Sequence, residues 1–244
     1  LTLGFRQFSH HFTDIRDALD QGREDRAREL LAQWRHVDAS ELPRTELLRH
    51  VIEYSLLAAH RHVFGVFFWF VALSAMGLGP AGAVLYRMAE FGSRYWSYKS
   101  QVTGAATHDR LMNLSLKLFT WLDHVPSRMT AFGFAVVGNF EDAVDAWRRH
   151  AVLWVRPNEG TILSAASGAL GVRLGGQAAP SADGRDVSRT LSQGDGSAVI
   201  DAEGSTTGAP PEMAHLRSVV GLIWRSVVLW MLLLALLSLA NLIG

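Results

Sequence analysis

Residues Ser226–Gly244 read "SVVLWMLLLALLSLANLIG" and contain no charged side chain. As an α-helix this stretch would be about 30 Å long, which matches the hydrocarbon thickness of a bilayer. Two tryptophans lie near its entry and two arginines precede it, which is typical of the cytoplasmic end of a membrane span. The sequence therefore predicts a C-terminal transmembrane helix over residues 218–244, in contact with the lipid bilayer.

A second charge-free run covers residues 63–86 and is interrupted by "GLGPAGA" at Gly77–Ala83. Because Gly and Pro stop a regular helix, this run predicts either one kinked span or a helix followed by a shallow return. Two shorter stretches, "MTAFGFAVVGNF" from Met129 and "TILSAASGALGV" from Thr161, cannot cross a membrane alone. They fit re-entrant or interfacial helices packed on the spans, and they fit a soluble subdomain equally well.

The remaining chain is polar with helical periodicity. Apolar residues recur at helical spacing from Gly4 to Leu19 and again in "GREDRARELLAQWRHV", which predicts a helical hairpin with its turn at residues 20–22. Thr45 is a candidate N-cap for a further helix that leads toward Val63. No segment alternates convincingly at period two, so we predict a mainly α, polytopic membrane protein.

The stretch 177–212 is rich in Gly, Ser, Ala and Pro, with scattered charges. This composition is typical of a flexible linker rather than of a folded domain. The predicted organisation is therefore a helical membrane domain over residues 1–176, a linker over 177–212 and the C-terminal transmembrane helix.

The composition excludes several classes of protein. With 23 Lys and Arg against 23 Asp and Glu, the chain lacks the basic excess of nucleic-acid-binding proteins. Without cysteine it can form neither disulfides nor thiolate metal sites. The ten histidines include no His-Glu-x-x-His pattern, and His60 and His62 would lie on different faces of a helix. We therefore predict no metal site and interpret these histidines as hydrogen-bonded interfacial side chains.

A glycine-rich stretch, "SGALGVRLGG", covers Ser167–Gly176. Such turns can bind phosphate through backbone N–H groups, but no Gly-Lys-Ser/Thr follows, so this is not a P-loop. Gly171 and Gly175 are four residues apart, which also suits close helix packing. Taken alone, the pattern favours packing.

The order of these features resembles the CobD/CbiB family from Phe5 to Gly176. "WRHVDASEL" is similar to the family's segment that closes on Arg-Asp-Thr, with Asp38 in the aspartate's place, and "VIEYS" keeps the family's glutamate as Glu53. "LDHVPSRMTA" resembles its Pro-Ala-Arg motif and keeps Arg128. The most specific match is "RPNEGTILSAASGALGVRLGG", which resembles the Ser-Pro-Asn-Ala-Gly signature and the small-residue helix behind it.

This resemblance implies an inner-membrane protein of bacteria. The family's enzymes are adenosylcobinamide-phosphate synthases, which join an amino-alcohol or its phosphate to a corrinoid carboxylate and use ATP with Mg²⁺. Transferred to this chain, the resemblance implies that Asp38 and Glu53 act as acid/base or metal groups. Arg128 and Arg173 would hold anions, together with the glycine turn at Gly171. Asn158 would hydrogen-bond the substrate.

The chain departs from the family pattern at several acidic positions. Leu57–Ala58 replaces Glu-Asn, Arg61–His62 replaces Asp-Gly, and Phe119–Thr120 replaces an Asp-Asp pair. "MAEFGSRYW" from Met88 stands where Asn-Thr-x-Asp-Ser-Met is expected. Since Mg²⁺ requires oxygen ligands, these replacements remove the groups that would bind Mg²⁺ and phosphate and add a positive charge.

The block from Glu46 to Trp147 also resembles AmpE, an inner-membrane signalling protein that is not known as a ligase. Two hypotheses therefore stay open. In one, the chain is a cobalamin-pathway ligase with an altered site. In the other, it is a non-catalytic binding or signalling protein, in which Asp38 and Glu53 are solvated or cap helices and Arg128 and Arg173 are snorkelling cations.

Overall fold

The structure, a computed structural model, describes residues 12–35, 42–103, 106–175 and 205–243. The predictions for Asp38 and for most of the linker lie outside these ranges. Within them the α-helices are α1 (12–20), α2 (Glu24–Arg35), α3 (Arg44–Ala59), α4 (Gly65–Ala75), α5 (Ala81–Thr103), α6 (Ala106–Leu122), α7 (His124–Val137), α8 (Phe140–His150), α9 (Pro157–Leu170) and α10 (Met213–Ile243).

The prediction of a mainly α-helical chain is confirmed, since the described residues add only short helical turns and two isolated β-bridges to these helices. The predicted hairpin of α1 and α2 is also confirmed, with Gly22 in its turn at φ 71°. Ile15 and Leu31 from this hairpin are buried in one core with Ile52 of α3. The prediction of Thr45 as an N-cap is wrong, because α3 begins one residue earlier without a side-chain cap.

α3, a π-helical segment at His60–Phe64 and α4 form one continuous helical rod. Arg44–Ala75 is long and apolar enough to cross a membrane. The rod ends at Ala75, where two glycines with positive φ reverse the chain into α5. The span predicted over residues 63–86 is therefore divided between two helices, because the Gly-Pro segment ends α4 and the chain from Ala81 belongs to α5.

α10 contains the second candidate span, Met213–Leu239, with a mean hydropathy of 2.2. It begins five residues before the predicted 218, since Met213 is its first residue. Its first half is buried against the core through Leu216 and Val219. Its second half exposes apolar side chains such as Leu232 and Leu236. That exposed half has the surface that lipid would cover.

α9 packs between α7 and α8 and passes very close to α8. A Cβ added at Gly168 would lie 2.2 Å from the backbone carbonyl oxygen of Asp142, so only glycine fits this contact. α9 ends at Gly171, whose φ of 68° is the left-handed conformation typical of helix C-caps. The predicted re-entrant or interfacial stretches from Met129 and Thr161 are thus parts of two packed helices, α7 and α9.

The segment after α9 pairs with the chain that enters α10. Val172 bridges to Ala209, and Gly175 bridges to Ser205. Thr206 accepts a hydrogen bond from the backbone N–H of Leu174 at 2.8 Å. The predicted linker over 177–212 therefore has a hydrogen-bonded part from Ser205 onward.

Candidate functional site

A pocket of about 290 Å³ lies where Asp123, just before α7, and the first turn of α9 meet the π-helical segment and the facing sides of α5 and α6. One part of its wall is apolar and another carries charged side chains. The lining residues that matter for its chemistry are Leu57, His60, Arg61, Glu90, Arg94, Phe119, Thr120, Asp123, Arg156, Asn158, Glu159 and Ile162.

The π-helical segment explains how two consecutive residues reach this pocket. The amide of Gly65 donates to the carbonyl of His60, five residues earlier, which widens the helical turn. His60 and Arg61 both line the pocket, whereas His62 contacts Arg87 at 3.0 Å. Single π-turns inside α-helices frequently occur at functional sites.

His60 and Asp123 form a buried hydrogen-bonded pair. His60 is 1 % exposed and Asp123 is 5 % exposed. The His60 Nε2 atom lies 2.8 Å from Asp123 Oδ1, and its Nδ1 atom lies 2.9 Å from the Thr130 hydroxyl. The imidazole ring is therefore fixed at both nitrogens, and it fixes one oxygen of the carboxylate in turn.

Tyr86 donates a second hydrogen bond to the same oxygen, with its hydroxyl 2.7 Å from Asp123 Oδ1. Its ring packs directly on Gly65, where an added Cβ would come within 2.4 Å of the ring. Burial and the nearby Asp123 carboxylate raise the pKa of the Tyr86 hydroxyl well above its ordinary value. Tyr86 therefore stays protonated and acts as a donor at neutral pH.

Glu159, in the first turn of α9, is paired with two arginines. Its Oε1 atom lies 2.5 Å from Arg61 Nη2 and 3.1 Å from Arg156 Nη1. Burial alone would raise the pKa of Glu159, but the two guanidinium groups outweigh burial and lower it below the ordinary 4.5. Glu159 is thus ionised and its charge is compensated.

Glu90 of α5 is compensated in the same way. It is 1 % exposed, and its carboxylate oxygens lie 3.0 Å from Arg87 Nη1 and 2.8 Å from Arg94 Nε. The pocket wall therefore contains two carboxylates whose charges are matched by arginines on neighbouring turns or helices.

The structure brings together two of the residues predicted from the motifs. Asn158 accepts a hydrogen bond from Arg128 at 3.4 Å and donates one to the Thr120 carbonyl at 2.9 Å. Its amide nitrogen also lies 3.4 Å from Asp123 Oδ2. Asn158 thus links the starts of α7 and α9 at the pocket.

The other predicted residues lie elsewhere or outside the described ranges. Glu53 is fully buried and accepts hydrogen bonds from Arg49 at 3.1 Å and from the Gly175 backbone at 2.7 Å. Gly171 lies at the opposite end of α9 from the pocket, and Arg173 is exposed two residues later. Asp38 falls in the range that the structure does not describe.

The model of the CobD/CbiB protein family matches residues 1–202. The chain belongs to the CobD/CbiB family. It is 30 % identical over 234 residues to a protein named cobalamin biosynthesis protein CobD from Stutzerimonas stutzeri, covering 96 % of this chain and 69 % of that protein. It is 33 % identical over 183 residues to a protein of the same name from Chromobacterium violaceum, covering 73 % of this chain and 54 % of that one. No solved structure matches the chain.

Family membership and the two candidate spans together identify a mainly α-helical membrane protein of the cobalamin biosynthesis family. A departure from the family's acidic pattern is predicted at Leu57, Arg61, Phe119 and Thr120, and these four residues line the pocket. Ala58 and His62, where a departure is also predicted, are not among its lining residues.

Sequence reasoning missed most of the charged pocket residues. The missed side chains are His60, Arg61, Tyr86, Glu90, Arg94, Asp123, Arg156 and Glu159. His60, interpreted from the sequence as a hydrogen-bonded side chain, is indeed hydrogen-bonded at both nitrogens, and it is buried. The usable signal for Arg61 was its predicted departure from the family pattern, since Arg61–His62 stands where Asp-Gly is expected.

The described pocket does not fit a carboxylate-held Mg²⁺ ion. Glu90 and Glu159 are each paired with arginines, and Asp123 accepts hydrogen bonds from His60 and Tyr86. In the described ranges no three His, Cys, Asp or Glu side chains are grouped so that they could hold a metal. What the side chains do fit is an organic ligand with charged or polar groups.

Proposed function

We propose that this chain acts in cobalamin biosynthesis at a bacterial inner membrane, in ATP-dependent ligation of an amino-alcohol or its phosphate to a corrinoid carboxylate. One observation carries the proposal: Leu57, Arg61, Phe119 and Thr120, where a departure from the family pattern is predicted, line the same pocket as Asn158. This pocket keeps an open volume with paired charges in its wall, which supports an altered reaction site more than a lost one. ATP and Mg²⁺ belong to the proposal as the family's cofactors, with Mg²⁺ carried on the phosphates of the nucleotide, since Glu90 and Glu159 of the pocket are already paired with arginines.

The pocket residues would bind and orient substrates. Arg94 and Arg156 line the pocket beside Asn158, and guanidinium groups bind carboxylate and phosphate oxygens through paired N–H donors. Asn158 offers both a carbonyl and an amide group to a ligand. Apolar Leu57, together with Ile162 of α9, limits access of water from one side.

The alternative, a non-catalytic AmpE-like signalling or binding protein, has one observation in its favour. Glu90 and Glu159 are already compensated by arginines, so these two carboxylates are less available for metal-dependent chemistry. Binding of nucleotide and corrinoid separates the two hypotheses.

The test is calorimetric titration of ATP–Mg²⁺ into the full chain in detergent, with and without a corrinoid carboxylate. We expect nucleotide binding that depends on the corrinoid and that is lost in Asn158→Ala and in Asp38→Ala. Asp145→Asn is the matched control, because Asp145 is a half-exposed carboxylate on α8 that pairs with Arg149 outside the pocket. Absence of nucleotide and corrinoid binding in folded protein would contradict the ligase proposal and favour the AmpE-like alternative.

A further inference from the structure

We propose that Asp123 binds a primary ammonium group in the pocket. This inference rests on the proposed function, since it assigns one part of the substrate to one side chain. It begins from a charge comparison between the three pocket carboxylates. Glu90 and Glu159 each have two arginine partners. Asp123 has no lysine or arginine within ion-pair distance in the described part of the chain, only His60.

The partners of Asp123 are concentrated on one of its oxygens. His60 Nε2 lies 2.8 Å from Oδ1, and the Tyr86 hydroxyl donates to the same atom at 2.7 Å. Asp123 is 5 % exposed, so little water is available to stabilise its charge. A cationic donor on the pocket side would therefore be favourable.

The two oxygens of Asp123 differ in their remaining capacity. Oδ1 accepts from His60 at 2.8 Å and from Tyr86 at 2.7 Å. Oδ2 has only the long 3.4 Å contact with Asn158. A carboxylate has about four lone-pair sites, so Oδ2 keeps room for a strong donor. His60 and Tyr86 are positioning residues here, because they fix Oδ1 and so orient Oδ2.

A compact ammonium fits these surroundings better than other cations. Mg²⁺ prefers near-octahedral oxygen coordination, and Asp123 has no second free carboxylate beside it in the described pocket. The ring of Phe119 also lines the pocket, and aromatic rings attract organic cations. The volume of about 290 Å³ accommodates a small amino-alcohol. The ligand class is therefore a short primary amine with a polar tail.

The test compares ethanolamine with ethylene glycol, which has a hydroxyl in place of the amine. Binding is measured by ligand-observed NMR on the full chain in detergent. We expect ethanolamine to bind the wild-type protein more tightly than ethylene glycol does. Asp123→Asn should weaken the affinity for ethanolamine about tenfold or more, as expected for loss of one charge-assisted hydrogen bond. Asp145→Asn is the control and should leave ethanolamine binding unchanged.

Tyr86→Phe removes one donor to Oδ1 but leaves the charge, so ethanolamine should still bind better than ethylene glycol. This variant keeps the test informative if Asp123→Asn does not fold. Equal binding of the two probes by wild type, or unchanged ethanolamine binding in folded Asp123→Asn, would overturn the inference. If nucleotide binds in a corrinoid-dependent way but ethanolamine does not bind, only the inference about Asp123 is overturned. If ethanolamine binding depends on Asp123 but no nucleotide binds, the inference is supported and the ligase proposal is contradicted.

Discussion

The two ends of α9 both carry buried polar groups, but they use them differently. At the first turn, Asn158 and Glu159 face a pocket with space for a ligand. At the other end, the Ser167 hydroxyl in the last turn donates to the Val172 carbonyl at 2.7 Å, and Gly175 beyond the helix donates to buried Glu53. The pocket lining includes none of the residues at this second end, which are Glu53, Ser167, Val172 and Gly175. Paired buried charges occur at both ends of α9, so charge pairing alone does not identify a ligand-binding site. The pocket at the first turn is what distinguishes that end as the candidate site.

The largest expected effect on stability is at the C-terminal end of α9, called the closed end because its buried groups pair without an adjoining pocket. Glu53→Gln removes the charge that Arg49 and the Gly175 amide share, inside a fully buried cluster. We expect a loss of about 3 kcal/mol in the free energy of unfolding, because a buried ion pair is broken, although Arg49 keeps its second carboxylate partner, Glu46. Thermal unfolding in detergent should show Tm lowered by roughly 6 to 12 °C. Unchanged Tm with lost substrate binding would instead make Glu53 a catalytic residue, as the family resemblance implied.

At the N-terminal end of α9, which faces the pocket and is called the open end, Glu159→Gln leaves Arg61 and Arg156 without the carboxylate that they share. We expect a loss of about 2 kcal/mol at pH 7, less than for the fully buried pair. Since the pKa of Glu159 is lower in the folded protein than its ordinary 4.5, the ion pairs stabilise the fold fully above pH 4.5. That stabilisation is lost as the pH falls through the folded-state pKa.

The check is the difference in Tm between wild type and Glu159→Gln, followed from pH 7 to pH 3. The difference should be constant down to about pH 4.5 and then shrink. A difference that stays the same at pH 3 would show that Glu159 stabilises the fold by packing and not by charge.

Two glycines of α9 test whether its later turns serve packing or ligand binding. Gly168→Ala would place a methyl group 2.2 Å from the Asp142 carbonyl oxygen, and we expect it to cost about 2 kcal/mol. Gly171→Ala meets no neighbour but requires a positive φ, so about 1 kcal/mol is expected. Thermal unfolding of both variants shows which substitution lowers Tm more, and Gly168→Ala is expected to do so. Loss of nucleotide binding in Gly171→Ala with little loss of stability would favour the phosphate-binding interpretation of this turn.

The smallest expected effect is at Arg173. Its side chain is exposed, and the backbone N–H, which a substitution keeps, makes the hydrogen bond to Ala209. Arg173→Ala should therefore change the free energy of unfolding by less than about 0.5 kcal/mol and leave calorimetric substrate binding unchanged. Weakened anion binding in this variant would show that the closed end takes part in the site after all.

The sequence predicted the helices better than it predicted the site. Hydropathy alone located α10 and the apolar part of Arg44–Ala75, because a span needs only length and composition. The motifs named Asn158 and Arg128, which the structure brings within 3.4 Å of each other. They also grouped Asn158 with Arg173, although a helix of 14 residues, about 20 Å long, separates the two. Adjacency in a motif is not proximity across a helix.

The charged pocket wall could not be predicted for a different reason. Helical periodicity assumes a constant 3.6 residues per turn, and the π-helical segment breaks that assumption at His60–Phe64. Tyr86 and Asp123 meet His60 only through tertiary packing across 26 and 63 residues. Pattern analysis of a single sequence contains no information about such contacts.

Arg61 has a consequence for how the chain is made. It lies inside a candidate membrane span, and its carboxylate partner Glu159 follows 98 residues later. At synthesis rates of about 5 to 20 residues per second, the arginine waits roughly 5 to 20 s for that partner. A lone arginine at mid-span is costly in hydrocarbon. Insertion of the Arg44–Ala75 span and folding of the later helices are therefore expected to be coupled, and a ribosome that stalls between the two residues would leave a poorly anchored nascent chain.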